Sequence, residues 1–156
     1  QQAAESVRIL DYYLPSPNDA LRLAGDYLGT RVASYFVPHW TEETRWYYNN
    51  ANSRWKEAAA YATADKWDEA KAMWQKLYEK SKDVKIKAKL ASNLALACEM
   101  ENQLDKAYEW AQMAYSSFCE TEGDTSKDAL LLKAYSDVLK ERIESDKKLN
   151  TQIGNN

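Results

Sequence analysis

Apolar side chains recur at three- and four-residue spacing along most of this chain, and the runs stop at capping residues and prolines. Residues 5–14 carry a short version (Val7, Ile9, Leu10, Tyr13, Leu14). It ends at Leu14-Pro15, because the residue ahead of a proline is pushed out of helical geometry. Ser16-Pro17-Asn18-Asp19 then reads as a helix start, with Ser16 as cap, Pro17 at the first helical position and Asp19 at the positive end of the dipole. Leu21, Ala24, Leu28, Val32 and Tyr35 share one face of this helix, and Pro38 ends it. Thr41 is the expected cap of the next helix, with Glu42 and Glu43 in its first turn. That helix is predicted to run to Ala64, about 35 Å at ~1.5 Å per residue, with Asn49-Asn50 as a point where it can break in two.

Asp65-Lys-Trp-Asp68 is a further start signal and predicts a helix through Lys80; Asp83 starts another, to Met100. Asn102-Gln-Leu-Asp105 repeats the signal and predicts a helix to Phe118. Residues 120–126, Glu-Thr-Glu-Gly-Asp-Thr-Ser, read as a polar acidic loop. A last amphipathic helix is expected over 125–147, with Ala129, Leu131, Leu132, Tyr135, Val138, Leu139 and Ile143 at helical spacing. The polar tail from Leu149 is expected to fray.

Two of these segments lie over each other. Ala58-Ala-Ala-Tyr61, Asp65-Lys-Trp-Asp-Glu-Ala70, Trp74 and Leu77 match Ala95-Leu-Ala-Cys98, Asn102-Gln-Leu-Asp-Lys-Ala107, Ala111 and Ala114, every pair 37 positions apart. In each copy a small residue (Ala58, Ala95) lets two helices approach, a capped turn reverses the chain, and a second small residue (Ala70, Ala107) faces the first helix again. The arrangement resembles the tetratricopeptide repeat, whose period is about 34 residues. The longer spacing here is absorbed in residues 81–85. The expectation is an all-α fold of antiparallel helical hairpins, of the tetratricopeptide-like α-α superhelix type. It would form one domain over residues 1–156, with flanking helices over 18–50, two repeats over 52–120 and a capping helix over 125–147. Two repeats alone bury little, so the flanking and capping helices are expected to cover them.

Composition agrees with helix pairs. The chain has 156 residues, enough for one domain with a proper core, and only 4 Gly and 3 Pro to make turns. With 21 basic and 24 acidic residues, net charge −3, it carries no electrostatic footprint for nucleic acid or an anionic membrane. No apolar run approaches the roughly 18–20 residues of a membrane span. Gln1 is not an initiator Met and no signal peptide is present, so the chain is expected to be the C-terminal part of a longer protein.

A second resemblance rests on Gly25-x-x-x-Gly29…Arg31, Pro38-His-Trp40, Arg45-Trp-Tyr-Tyr48, Trp67-Asp-Glu-Ala70-x-x-x-Trp74 and Asn93-Leu-Ala-Leu-Ala-Cys-Glu99. These resemble the C-terminal half of an uncharacterised family of exported Bacteroidetes proteins, often lipoproteins, over about residues 20–118. The resemblance implies export, to the periplasm or the outer membrane. It implies no activity.

The chemistry-bearing residues are few. His39 is the sole histidine, which excludes a histidine-built metal site within one chain, and no nucleophile elbow accompanies it. It follows Pro38 at a helix end, where a cation suits the dipole. Cys98 and Cys119 fall at opposite ends of consecutive antiparallel helices, over ~10 Å apart along the axis and too far for a disulfide. Cys98 reads as a buried small residue and Cys119 as a free thiol at a helix end. The carboxylates of residues 120–124 lack calcium-loop spacing and read as solvated. Asp65, Asp68 and Asp105 read as first-turn residues. Gly25 and Gly29 lie inside a helix, where small residues permit close packing. No catalytic residue, cofactor site or metal site is expected, and so no enzyme.

The aromatic content stands out: 6 Trp and 11 Tyr against 2 Phe. His39, Trp40, Arg45, Trp46, Tyr47 and Tyr48 cluster within ten residues. Read as helical, Trp46-Tyr47-Tyr48 cannot all enter one core; they pack against upstream sequence or bind sugars, peptides or proteins. The inner face of the repeats is the other candidate, with Asn52 and Trp55 from the first copy and Lys89 and Asn93, four apart, from the second. An amide and a cation there can hold a peptide backbone or a carboxylate. The bland alternative is an Asn93 that bonds a neighbouring backbone group beside a solvated Lys89. The functional expectation is a non-catalytic helical scaffold that binds a protein or peptide at the cell envelope. The alternative is an envelope glycan- or ligand-binding module using exposed Trp and Tyr.

Overall fold

The computed structural model describes residues 15–36 and 43–154, and among them all regular structure is helical. The chain divides into two compact units, residues 1–44 and 45–156.

In the first unit, α1 (Pro17–Phe36) begins where its signals predict. Ser16 Oγ accepts the Asp19 amide at 3.2 Å and donates to the Asp19 carboxylate at 2.7 Å, which satisfies an otherwise orphan N–H. Among the described residues, a methyl group placed on Gly25 or Gly29 would meet no atom within 4 Å. The apolar pattern of residues 5–14, Pro38 and the expected Thr41 cap lie outside the described residues.

The second unit holds five helices among the described residues: α2 (Ser53–Thr63), α3 (Trp67–Lys80), α4 (Val84–Met100), α5 (Leu104–Glu122) and α6 (Lys127–Gly154). Each packs against the one before it. The α2–α3 and α4–α5 hairpins turn by the same device. Lys66 N–H donates to Tyr61 C=O at 2.9 Å and Asp65 N–H to Ala62 C=O at 3.1 Å. Gln103 N–H donates to Cys98 C=O at 2.8 Å and Asn102 N–H to Glu99 C=O at 2.9 Å. This is the Schellman closure, which needs a left-handed residue at its corner. Asp65 therefore ends α2 rather than starting α3, a correction to its first-turn reading. Asp68 and Asp105 do sit in first turns.

Ala58 and Ala70 are fully buried in one cluster with Trp55, Trp74, Leu90 and Leu94. Ala95 and Ala107 are fully buried in another with Cys98, Leu104, Ala111 and Leu139. Phe118 heads a third, with Ala88, Ala91, Ala114, Ala129 and Leu132, and so joins α4, α5 and α6. α4 is buried at every position from Leu90 to Glu99, as a helix apolar around most of its circumference must be.

Three boundaries differ from the periodicity reading. α5 continues through Glu122 and stops at Gly123, whose φ of 88° few other residues adopt, so the acidic loop shrinks to residues 123–126. α6 runs on to Gly154 through the tail expected to fray: nothing between Ile143 and Gly154 breaks a helix, and Thr151 Oγ1 bonds the Lys147 carbonyl at 2.8 Å. The largest difference is upstream. Residues 43–52 are not helical, and α2 begins only at Ser53, capped by Asn52 Oδ1, which accepts the Arg54 amide at 2.9 Å. Asp83 caps α4 in the same way, accepting the Ile86 amide at 3.0 Å.

Candidate functional site

Because residues 45–50 are not helical, their backbone N–H and C=O groups need partners from elsewhere in the unit. Asn93, fully buried on α4, supplies two of them. Its Oδ1 accepts the Tyr48 N–H at 2.7 Å and its Nδ2 donates to the Tyr48 C=O at 2.7 Å. A carboxamide matches the N–H and C=O of one residue donor for acceptor, so this pair reads backbone and not side-chain identity. Three residues earlier, Arg45 forks onto Glu99: Nε lies 3.2 and 3.1 Å from Oε1 and Oε2, and a terminal nitrogen lies 3.0 Å from Oε1. The register explains itself. Three extended residues cover ~10 Å, and the six helical residues from Asn93 to Glu99 cover ~9 Å. The segment therefore runs along α4 in the opposite direction, as a strap.

The strap's rings are held one by one. Tyr48 packs on Phe118, ring centroids 5.9 Å apart, with Lys89 Nζ 5.6 Å from its ring centre. Trp46 meets the Tyr48 ring edge-on at 5.1 Å. Tyr47 leans on Trp74 at 5.9 Å, and its hydroxyl lies 3.2 Å from Thr63 Oγ1. The Tyr48 hydroxyl is buried and has no hydrogen-bond partner of ordinary geometry. Burial first, then the nearby Asp128 carboxylate and Glu122, raise its pKa well above the ordinary tyrosine value.

Glu99 is the electrostatic centre of this surface. Its side chain is 1% exposed, and it accepts from Arg45, from Arg142 and, at 2.7 Å, from the Tyr135 hydroxyl. A buried carboxylate needs such partners, because each lone pair removed from water is otherwise lost. Burial and the adjacent Glu99 charge raise the Tyr135 phenol well above its ordinary range. Arg45 also lies over the Tyr135 ring at 6.0 Å.

The sequence-derived candidates fare unequally. Asn93 and Lys89 do line one surface, and it is their own chain that they hold. Asn52 is not on it: its side chain is spent capping α2. Trp55 is 4% exposed and belongs to the core, so it is not available to a partner. Arg45 and Trp46 lie on the strap, Arg45 facing inward to Glu99 and Trp46 exposed. His39 and Trp40 lie outside the described residues. The expectation that Trp46-Tyr47-Tyr48 fan out around a helix is replaced by an extended run, in which Tyr47 and Tyr48 both pack against the core. Sequence reasoning missed Glu99, Tyr135 and Arg142. The available signals were a carboxylate closing the apolar run of residues 94–98, and an aromatic and an arginine seven apart on one helix face.

Both cysteines are free, Cys98 buried and Cys119 partly so. Among the described residues no group of three or more His, Cys, Asp or Glu is placed to hold a metal ion, and no helix is long and apolar enough to cross a membrane. Open surface hollows among the described residues include one of about 310 Å³ beside Met73 and Leu77 and one of about 200 Å³ beside Leu104 and Ile143.

Residues 56–141 match the family described as Domain of unknown function (DUF6340), and residues 1–48 match a second, described as Domain of unknown function (DUF8603). The first match spans more than half of the chain, and the chain belongs to that family. No curated protein and no solved structure matches it.

Proposed function

We propose that this member of the DUF6340 family is a non-catalytic helical interaction scaffold that binds an extended polypeptide segment along α4 at the cell envelope. One observation carries the reading: Asn93 holds the Tyr48 backbone by both its N–H and its C=O, so the surface is built to grip a backbone in extended form. The two identical hairpin turns support kinship with tetratricopeptide-like arrays, whose inner helices present such surfaces. Envelope location rests on the resemblance to exported lipoproteins, and a lipobox upstream of Gln1 is the observation that tests it.

The glycan alternative draws less support from the fold. The aromatic surplus goes largely into packing: Trp55 and Trp74 are buried, and Tyr47, Tyr48, Trp67 and Trp110 are packed on the core clusters. Trp46 is the exposed indole among the described residues.

Parallel peptide and glycan arrays separate the two. The peptide reading expects the full chain to retain a set of peptides that Asn93→Ala loses. Retention of glycans alone, abolished by Trp46→Ala, would replace it with the glycan reading.

A further inference from the structure

The strap is itself a ligand, and its fit describes the ligand that would replace it. We infer that α4, α5 and α6 form a receptor surface for an extended segment of another polypeptide carrying an arginine three residues ahead of an aromatic, and that residues 45–48 occupy that surface as a displaceable stand-in. The inference rests on the peptide-binding reading above and names its partner.

Four observations support it. First, the grip is register-specific: Glu99 takes a guanidinium and Asn93 takes the peptide unit three residues on, with Phe118 and Lys89 around that residue's ring. A carboxylate that accepts a two-point fork selects arginine over lysine. Second, Glu99 has partners besides the strap. Arg142 and Tyr135 hold Glu99 from α6, so withdrawing Arg45 leaves the carboxylate paired rather than bare. Third, the ring and not the hydroxyl makes the fit: Tyr48 packs on Phe118 under Lys89, and its buried hydroxyl meets only the Asp128 carboxylate, outside ordinary hydrogen-bond geometry, so a phenylalanine keeps the ring contacts. Fourth, occupant and receptor are separable in sequence. Residues 45–48 fall in the match over residues 1–48, whereas Lys89, Asn93, Glu99, Phe118 and Tyr135 fall in the match over residues 56–141. The exposed Asn49 and Asn50 join them, bonded mainly to their own neighbours at 2.8 and 2.6 Å, so the strap can leave without unwinding α2.

The test uses the full chain and a fluorescent peptide of residues 43–50 with phenylalanine in place of Tyr48. Arg45→Glu sets like charges together and expels the strap while leaving the receptor intact. This variant is expected to bind the peptide at least tenfold more tightly than the unaltered chain. Alanine in place of the peptide's arginine should cost at least tenfold. In the unaltered chain, saturating peptide should abolish hydrogen-exchange protection of the Tyr48 amide. Arg45→Gln serves where Arg45→Glu loses helicity. Equal affinity of the variant and the unaltered chain, or indifference to the peptide's arginine, would overturn the inference. A helical Arg45→Glu chain that binds other extended peptides but not this one sinks the inference and leaves the scaffold reading standing. One that binds no peptide sinks both. A mixed dimer of variant and unaltered chain, with Glu99 of the variant carrying the other copy's strap, would overturn the separate partner in favour of a second copy.

Discussion

Asp65 and Asn102, 37 positions apart, share one backbone conformation, at φ 59° and 58°, each closing a helix with the same pair of hydrogen bonds. A left-handed residue costs most side chains about 1–2 kcal/mol, less for Asp and Asn, and nothing steric for Gly. Asn102→Gly should therefore leave stability within about 0.5 kcal/mol, whereas the β-branched Asn102→Val should lower it by about 1–2 kcal/mol, read from urea unfolding. Equal stability of the two variants would mean that the corner is not closed in this way.

Asn93→Ala removes the partners of both the Tyr48 N–H and the Tyr48 C=O. The expected loss is about 1–3 kcal/mol, with the Tyr48 amide moving from slow to fast hydrogen exchange while α4 amides stay protected. Persisting protection at Tyr48 would show that the strap is held by its rings alone.

Ala95 and Ala107 are fully buried between α4 and α5. Ala95→Leu or Ala107→Leu should overpack that contact and cost roughly 1–3 kcal/mol in chemical denaturation. Full stability in both variants would break the alignment of the two hairpins.

Tyr48 and Tyr135 both titrate above their ordinary value of 10.0 in the folded chain. The folded state then holds a proton that the unfolded chain releases first. Their contribution is fully present below about pH 10 and is lost as pH rises beyond it toward the folded values. Urea midpoints should fall steadily above pH 10, and more gently in Tyr135→Phe. A midpoint independent of pH up to 11 would contradict the burial of both phenols.

The thiols should separate by burial. Cys98 is fully buried, and burial raises its pKa, while Cys119 is partly exposed one turn before α5 ends. Ellman's reagent should consume Cys119 in the native chain and Cys98 only on unfolding, without reductant. Two unreactive thiols in the unfolded monomer would mean a bond between them.

The helices were legible because their causes are local. Ser16 and Asp83 cap through side-chain oxygens that accept the amide N–H three residues on, and the alanine pairs report helix approach through spacing alone. The sequence match at 37 positions is local in the same way, since each of its two segments carries its own corner and its own small residues. The strap was not legible. Thr41, Glu42 and Glu43 look like a helix start, and residues 43–50 contain no proline or glycine to forbid one. What excludes a helix there lies 45 and 54 positions away, in Asn93 and Glu99. A helical turn would give Tyr48 its own backbone bonds at a small net gain each, but would lift Tyr47 and Tyr48 off Trp74 and Phe118. The long-range contacts satisfy the same backbone groups and bury the rings as well, so tertiary structure decided the conformation of residues 43–52 against local preference. The same holds for Asn93. Its sequence shows a polar residue on a buried helix, and only the folded chain decides whether it meets a guest peptide or its own backbone, because that choice depends on what else can reach α4.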